Sequence, residues 1–317
     1  MARLKGPASP VSSFRLVIAI LGMITLPAAL TLHTVRVSAI VDPSVRNSSP
    51  FGYTVSLLLF IVPILVIGLW LVPQDGVKIS KRSFLWTIGI LFPLGAMLDF
   101  FFAHLFFYFP NSGATLRIRF PALGGGVPVE EYVFYFTGFV AVLLIYIWLD
   151  EYWLPAYSVP VDAAERTNFT RLLRFHPQSL FWAVVLIAAA ILYRWTYVKT
   201  PGFPGYFTFL VLGALLPSAA LLPSALPVIN WRAFSLTVLI VLLISLLWEA
   251  TLGVPYGWWG FQGEQMIGIR ITAWSGLPIE EVFLWIAVSY TTSIVYEVVR
   301  RWQSSGKRAR HAFLGAP

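Results

Sequence analysis

The chain has 317 residues, of which 58% are hydrophobic and 11% charged, and its mean hydropathy is +0.78. Soluble domains carry about 25% charged residues, so this composition excludes an ordinary soluble domain. The absence of cysteine excludes disulfides and thiolate metal sites. The net charge of +8 comes from Lys and Arg between apolar runs, which is typical of a membrane protein and argues against a nucleic-acid partner.

Eight apolar runs are long enough to cross the roughly 30 Å of membrane hydrocarbon, which takes about 20 residues. They lie at 14–33, 53–72, 84–108, 130–149, 179–197, 206–226, 233–252 and 278–299. The first run is too long for a typical signal peptide, so we interpret it as a retained helix. The sequence therefore predicts an all-α, polytopic membrane helical bundle of about eight transmembrane helices.

The distribution of basic residues predicts the orientation of this bundle. If the N-terminus is inside, the inner segments carry about twice as many Lys and Arg residues as the outer ones. The positive-inside rule favours that arrangement, with both termini cytoplasmic. The polar, basic tail beyond Ser304 is predicted to be disordered.

An internal repeat appears when the chain is shifted by 150 residues, and 82–146 then aligns without a gap. Asp99 falls on Glu249, and the segment Pro128 to Glu131 falls on Pro278 to Glu281. We predict a first four-helix repeat with the N-terminal helix over 1–157, a linker over 158–178, a second repeat over 179–302 and a basic tail over 303–317. Because each repeat has an even number of helices, both should share one orientation and face a common central cavity.

Six acidic residues lie in or at the edge of apolar helices: Asp99, Glu130, Glu131, Glu249, Glu280 and Glu281. A charge at mid-bilayer costs about 3 kcal/mol or more, so such acids usually face the bundle interior and have a role. The glutamate pairs, and Asp99 and Glu249, could also have a purely structural role. Pro-x-Glu-Glu is a favourable helix start, and Asp99 or Glu249 could be neutralised by Arg117, Arg119 or Arg270.

The functional interpretation is acid–base catalysis. Desolvation and a neighbouring like charge both favour the neutral form of a carboxyl group, so one acid of a pair can stay protonated while its partner is ionised. Aromatic residues surround the second cluster, among them Trp248, Trp258, Trp259, Trp274, Phe283 and Trp285. They form either an interfacial belt or a substrate-binding wall that stabilises a carbocation.

The second half carries a motif series that resembles a known family. An acid follows tryptophan at Trp248-Glu249, a Gly-x-Trp-x-Phe stretch runs from Gly257 to Phe261, and Pro278-Ile279-Glu280-Glu281 opens the next helix. This series resembles the membrane-integral lycopene cyclases of the small-domain type, which occur as two-subunit, tandem and fused enzymes. The resemblance is strong over 233–299 and moderate over 82–150, where Asp99, Pro128, Glu130 and Glu131 are kept but the tryptophans are not.

The resemblance implies an isomerase (intramolecular lyase) of carotenoid biosynthesis in the bacterial inner membrane. It would cyclise the linear end group of lycopene or a related carotenoid without redox chemistry. Glu130, Glu131, Glu280 and Glu281 would be the acid–base groups, and Asp99 and Glu249 would tune them. The partners would be a lipophilic carotenoid, the lipid bilayer and, as candidates, other carotenoid-pathway enzymes.

Motif searches support this interpretation and leave alternatives open. The sequence has no GxGxxG, P-loop, HExxH or GxSxG motif, so no cofactor or metal is expected. A glutamate-dependent intramembrane protease is disfavoured because no arginine follows either glutamate pair at the required spacing. Another carotenoid-modifying membrane protein, a carotenoid-binding protein without catalytic activity or a proton-coupled transporter also fits acids at a repeat interface.

Overall fold

The computed structural model describes residues 49–75, 79–158 and 168–315. The predicted first helix at 14–33 lies outside these ranges. Seven long helices are apolar enough to cross a membrane: α1 Gly52–Leu71, α2 Lys81–Phe106, α3 Val129–Trp153, α4 Pro177–Val198, α5 Gly205–Ala225, α6 Trp231–Gly253 and α7 Ile279–Ser305. They match the other seven predicted spans. The prediction of an all-α polytopic bundle is therefore confirmed, and the chain is an integral membrane protein.

The centre of the bundle consists of α3 and α7. In their most apolar stretches 72% and 67% of residues are buried, against 17% in α4. Helix α3 packs against α1, α2, α6 and α7, and α7 also contacts α2, α5 and α6. Helix α4 lies at the edge, where it contacts α5. Since lipid tails are as apolar as leucine, close packing and polar contacts between helices hold such a core together.

The two halves meet through short strands that follow α2 and α6. The strands are β1 Phe107–Tyr108, β2 Arg119–Ala122, β3 Gly125–Pro128, β4 Gly260–Phe261, β5 Arg270–Ile271 and β6 Leu277–Pro278. Strands β2 and β3 form a hairpin in the first half, and β5 and β6 pair in the second. Strand β1 pairs antiparallel with β4, so Phe107 lies opposite Phe261. The two corresponding loops are thus joined at one end of the bundle.

Local sequence explains where the repeated helices begin. The Asn230 side chain accepts hydrogen bonds from the backbone N–H groups of Arg232 and Ala233, and the Ser80 side chain accepts one from Ser83. These are standard N-caps. Pro128 and Pro278 are the N-cap residues of α3 and α7, so each lies one position before the first helical residue. Both glutamates of each pair therefore fall in the first turn of α3 or α7.

The ungapped repeat alignment is wrong within the loops. Glu130 accepts a hydrogen bond from the backbone of Leu116, and Glu280 accepts the equivalent bond from Ile267. A constant shift of 150 residues would have put Met266, not Ile267, in that place. Insertions and deletions in the two loops compensate each other, so the shift is restored at the glutamates.

The prediction of a disordered C-terminal tail is also wrong. Residues Ala309–Leu314 form a short helix, α8, in which Ala312 is buried. The carbonyl of Ala312 accepts the N–H of Leu172, and the Lys307 ammonium donates to the carbonyl of Phe169 at 2.9 Å. The tail is basic overall, but a few of its apolar residues pack against the segment between the two halves.

Candidate active site

The first glutamate of each pair holds a loop. The Glu130 carboxylate accepts the Leu116 N–H at 2.7 Å and the Thr54 hydroxyl at 2.5 Å, and Glu280 accepts the Ile267 N–H. Both side chains are buried. A carboxylate bonded in this way fixes the loop that covers the end of the bundle, and its acceptor atoms are partly occupied.

The second glutamate of each pair faces a cleft between the halves. Glu131 and Glu281 line this cleft together with Glu249, and the space measures about 380 Å³ including its opening. The rest of the lining is aromatic or apolar: Tyr53, Phe107, Phe109, Phe134, Tyr135, Trp248, Trp259, Phe261 and Leu284. The two halves contribute equally. Three of the six predicted carboxyl groups therefore share one chamber, and Glu130 and Glu280 lie outside its lining.

A tyrosine accompanies each of these second glutamates. The Tyr53 hydroxyl donates to Glu131 at 2.6 Å, and Tyr206 lies close to Glu281. Both tyrosines are fully buried near the start of α1 and α5. Sequence reasoning missed them because the repeat comparison began at Arg82. Extension of the alignment upstream with a variable shift would have paired them.

The acids on α2 and α6 are the third element of each cluster. The Trp285 indole N–H donates to Glu249 at 2.6 Å, and Glu281 is the acidic neighbour of Glu249 in the cleft. Asp99 is fully buried and interacts electrostatically with Glu131. Among the described residues, neither Asp99 carboxyl oxygen has a hydrogen-bond partner. Asp99 is close to the cleft without lining it.

Two of the arginines that could neutralise these acids have other contacts in the described structure. Arg119 donates to the carbonyl of Gly126, and Arg270 donates to the carbonyl of Gly276, each at 3.0 Å. Each arginine thereby closes its own hairpin. Ion pairs occur at the other end of the bundle, where Arg300 lies 3.4 Å from Glu297 and 3.8 Å from Asp150. Sequence reasoning did not identify that cluster, which joins α7 to α3.

The predicted aromatic wall is divided between several places. Trp248 and Trp259 line the cleft, with ring centroids 4.7 Å apart. Trp258 stacks on Tyr53 behind them, and Trp285 is buried against Glu249. Phe283 packs on Phe207 instead. Trp274 is half-buried in the second-half loop.

Gly253 explains how Trp259 reaches the cleft. A Cβ atom at Gly253 would overlap the Trp259 ring. The missing side chain lets the indole lie directly against the end of α6, next to Trp248 and Glu249.

The arrangement suits proton transfer in an apolar environment. Carboxyl groups from both halves face the same small space, and the surrounding rings offer π faces that attract positive charge. Within the described ranges, no group of three His, Asp or Glu side chains is arranged to hold a metal ion.

These features define a class, a polytopic helical membrane protein with a carboxyl cluster buried between two repeated halves. The family model for lycopene cyclase matches residues 50–149 and 203–299, well over half of the chain. The chain therefore belongs to the lycopene cyclase family, whose function is in carotenoid biosynthesis, and the resemblance inferred from the motifs is confirmed. The matched segments contain α1, α2, α5 and α6 and most of α3 and α7. Searches of curated proteins and of solved structures gave no match.

Proposed function

We propose that the chain is an isomerase (intramolecular lyase) that cyclises the linear end group of lycopene or a related carotenoid. A carboxylic acid protonates the terminal double bond, whose π electrons form the new C–H bond and leave a tertiary cation. The neighbouring double bond attacks this cation and closes a six-membered ring. A carboxylate then removes a ring proton, and the electrons of that C–H bond become the ring double bond.

The observation that carries this proposal is the shared cleft. Glu131 from one half, and Glu249 and Glu281 from the other, face one space lined by aromatic rings. The reaction gains and loses one proton and no electrons, so it requires an acid and a base within reach of one substrate. Apart from these carboxyl groups, the cation meets aromatic rings and an apolar side chain, which limits its capture by water.

The acid–base roles fall on Glu131, Glu281 and Glu249 in this proposal, and not on Glu130 and Glu280. The latter two hold loop backbone through hydrogen bonds. Asp99 keeps its predicted tuning role because it acts on Glu131 from nearby. The predicted substrate contacts are retained for Trp248 and Trp259, which line the cleft.

We further propose that the protein lies in a bacterial inner membrane with both termini cytoplasmic. The cleft is at the end of the bundle where the loops after α2 and α6 pair, which this orientation directs outward. The long polyene would remain among the lipids while its end group enters the cleft.

The experiment is pigment analysis in a bacterial host that accumulates lycopene. Expression of the chain should convert the linear pigment into a product with one or two rings, resolved by chromatography and mass spectrometry. A double variant, Glu131→Gln with Glu281→Gln, should leave the pigment linear at equal membrane abundance. A transporter or binding protein would redistribute the pigment without changing the ring count, and that result would refute the proposal.

A further inference from the structure

We infer that the cleft has a fixed polarity: Glu281 donates the proton, Glu131 accepts it, and Tyr53 is the positioning residue that keeps Glu131 ready to accept. This inference rests on the proposed cyclisation and goes beyond it by assigning the two roles.

The donor side follows from the contacts of Glu249 and Glu281. Glu249 and Glu281 are neighbours that line the same cleft, and two carboxylates at close range repel each other, so the pair shares one proton. The Trp285 N–H donates to Glu249 at 2.6 Å, and an indole N–H stabilises a carboxylate better than a neutral acid. The shared proton therefore belongs to Glu281, which lines the cleft.

The acceptor side follows from the contacts of Glu131. This carboxylate receives the buried Tyr53 hydroxyl at 2.6 Å, a short charge-assisted bond. Asp99, its acidic neighbour, has no hydrogen-bond partner among the described residues and does not line the cleft. Glu131 is thus the cleft-lining carboxylate of the first half, with a donor to orient it, whereas Glu249 is the neighbour of Glu281 in the second half.

Tyr53 is held in place by aromatic packing. Its ring stacks on Trp258 at a centroid distance of 6.2 Å and lies 5.0 Å from the Trp259 ring. The tyrosine therefore cannot swing away from Glu131 without displacing two tryptophans. Removal of its hydroxyl leaves this packing intact and releases only the carboxylate.

The cycle balances within the cleft. The Glu281 O–H bond breaks as the new C–H bond forms at the substrate, and Glu281 becomes a carboxylate beside that of Glu249, whose repulsion favours its reprotonation. After ring closure, the electrons of a ring C–H bond form the double bond, and the proton moves to Glu131. Exchange of one proton with water resets both groups.

The test is turnover of lycopene in D₂O by the full chain reconstituted in lipid nanodiscs. Glu281→Gln should return linear substrate with no deuterium and reduce ring formation by roughly 10²- to 10⁴-fold, the usual contribution of a general acid. Glu131→Gln should still protonate the substrate. We expect deuterium in the recovered linear carotenoid and rings whose double bond lies at other positions.

Tyr53→Phe is the milder variant and keeps the inference testable if a glutamine variant fails to fold. It should slow ring formation by roughly tenfold to hundredfold, the effect of one hydrogen bond to a charged group. It should also shift the product ratio in the same direction as Glu131→Gln. Tyr146→Phe is the matched control, since Tyr146 is equally buried and donates to Glu297 at 3.0 Å outside the cleft. Its product ratio should equal that of the unmodified chain.

Deuterium in the linear pigment with Glu281→Gln, or the same behaviour of the two glutamine variants, would overturn the assignment. An unchanged product ratio with Tyr53→Phe would overturn the role of the tyrosine. Failure of the unmodified chain to form any ring would instead refute the proposed function itself, so the two failures are distinguishable.

Discussion

In the first half Glu131 receives the Tyr53 hydroxyl and has Asp99 as its acidic neighbour, whereas in the second half Glu281 lies near Tyr206 and has Glu249 as its acidic neighbour. Asp99 lies within regular helix that continues to Phe106, but Glu249 begins a π-helical turn over Glu249–Gly253. This wider turn begins at Glu249, whose side chain lines the cleft and accepts the Trp285 N–H. Similar sequences thus build two clusters with one plan and different local contacts.

In the proposed reaction the two halves together form one active site. An acid-to-base reaction needs unlike groups at opposite sides of one substrate, and two slightly different halves supply them. Separate changes to the corresponding residues in each half test how far the halves have diverged.

The largest expected effect distinguishes the acids on α2 and α6. Glu249→Gln replaces the carboxylate beside Glu281 with a neutral amide, so Glu281 loses the negative neighbour that favours its protonated form, and we expect ring formation to fall by about 100-fold or more. Asp99→Asn should cost about tenfold or less, because Asp99 does not line the cleft. Initial rates in nanodiscs measure both. Equal losses would mean that the halves act as equivalent sites.

A second prediction separates the two glutamates of each pair. Glu130→Ala removes the acceptor for Leu116 and Thr54, and we expect a loss of about 3 kcal/mol in stability, since hydrogen bonds to charged groups contribute about 1.5–3 kcal/mol each. Thermal unfolding in detergent measures it. Glu130→Gln retains an acceptor oxygen and should unfold close to the unmodified temperature. If Glu130→Gln folds normally but forms no ring, the catalytic role originally predicted for Glu130 would be restored.

A smaller effect is expected at Gly253, where the halves differ in their aromatic lining. Gly253→Ala forces the Trp259 ring away from α6, and overpacking of this kind costs about 1–3 kcal/mol. We expect weaker carotenoid binding, seen as a higher KM, with a smaller change in kcat. Gly138→Ala is the matched control, because a Cβ atom there meets nothing within 4 Å. An unchanged KM in Gly253→Ala would show that Trp259 is not part of the carotenoid-binding surface.

Much of this architecture could be predicted from the sequence. The seven described spans were predictable because an apolar run of about twenty residues in a membrane protein has few alternatives to a transmembrane helix. The acids were identifiable because charge in such a run is costly, and their recurrence pointed to a shared cavity.

The contacts of each acid could not be predicted in the same way. Whether Glu130 or Glu131 faces the cleft depends on helix rotation, which the motif Pro-x-Glu-Glu leaves open. Tyr53 and Tyr206 escaped detection because tyrosine is common at membrane interfaces. Short elements carry little periodic signal. The insertions in the loops and the short helix with the buried Ala312 could therefore not be predicted.

The most direct test of the account is whether the two halves meet at the cleft. The chain has no cysteine, so a double variant, Phe107→Cys with Phe261→Cys, introduces one defined pair of thiols. These residues lie opposite each other in the β1–β4 pairing, at a spacing that a disulfide can bridge. We predict rapid formation of an intramolecular disulfide, detected by mass spectrometry. Formation should be slow or absent for Phe107→Cys with Tyr157→Cys, because Tyr157 follows the end of α3 that is remote from the cleft. Equal rates in the two double variants would contradict a cleft shared between the halves.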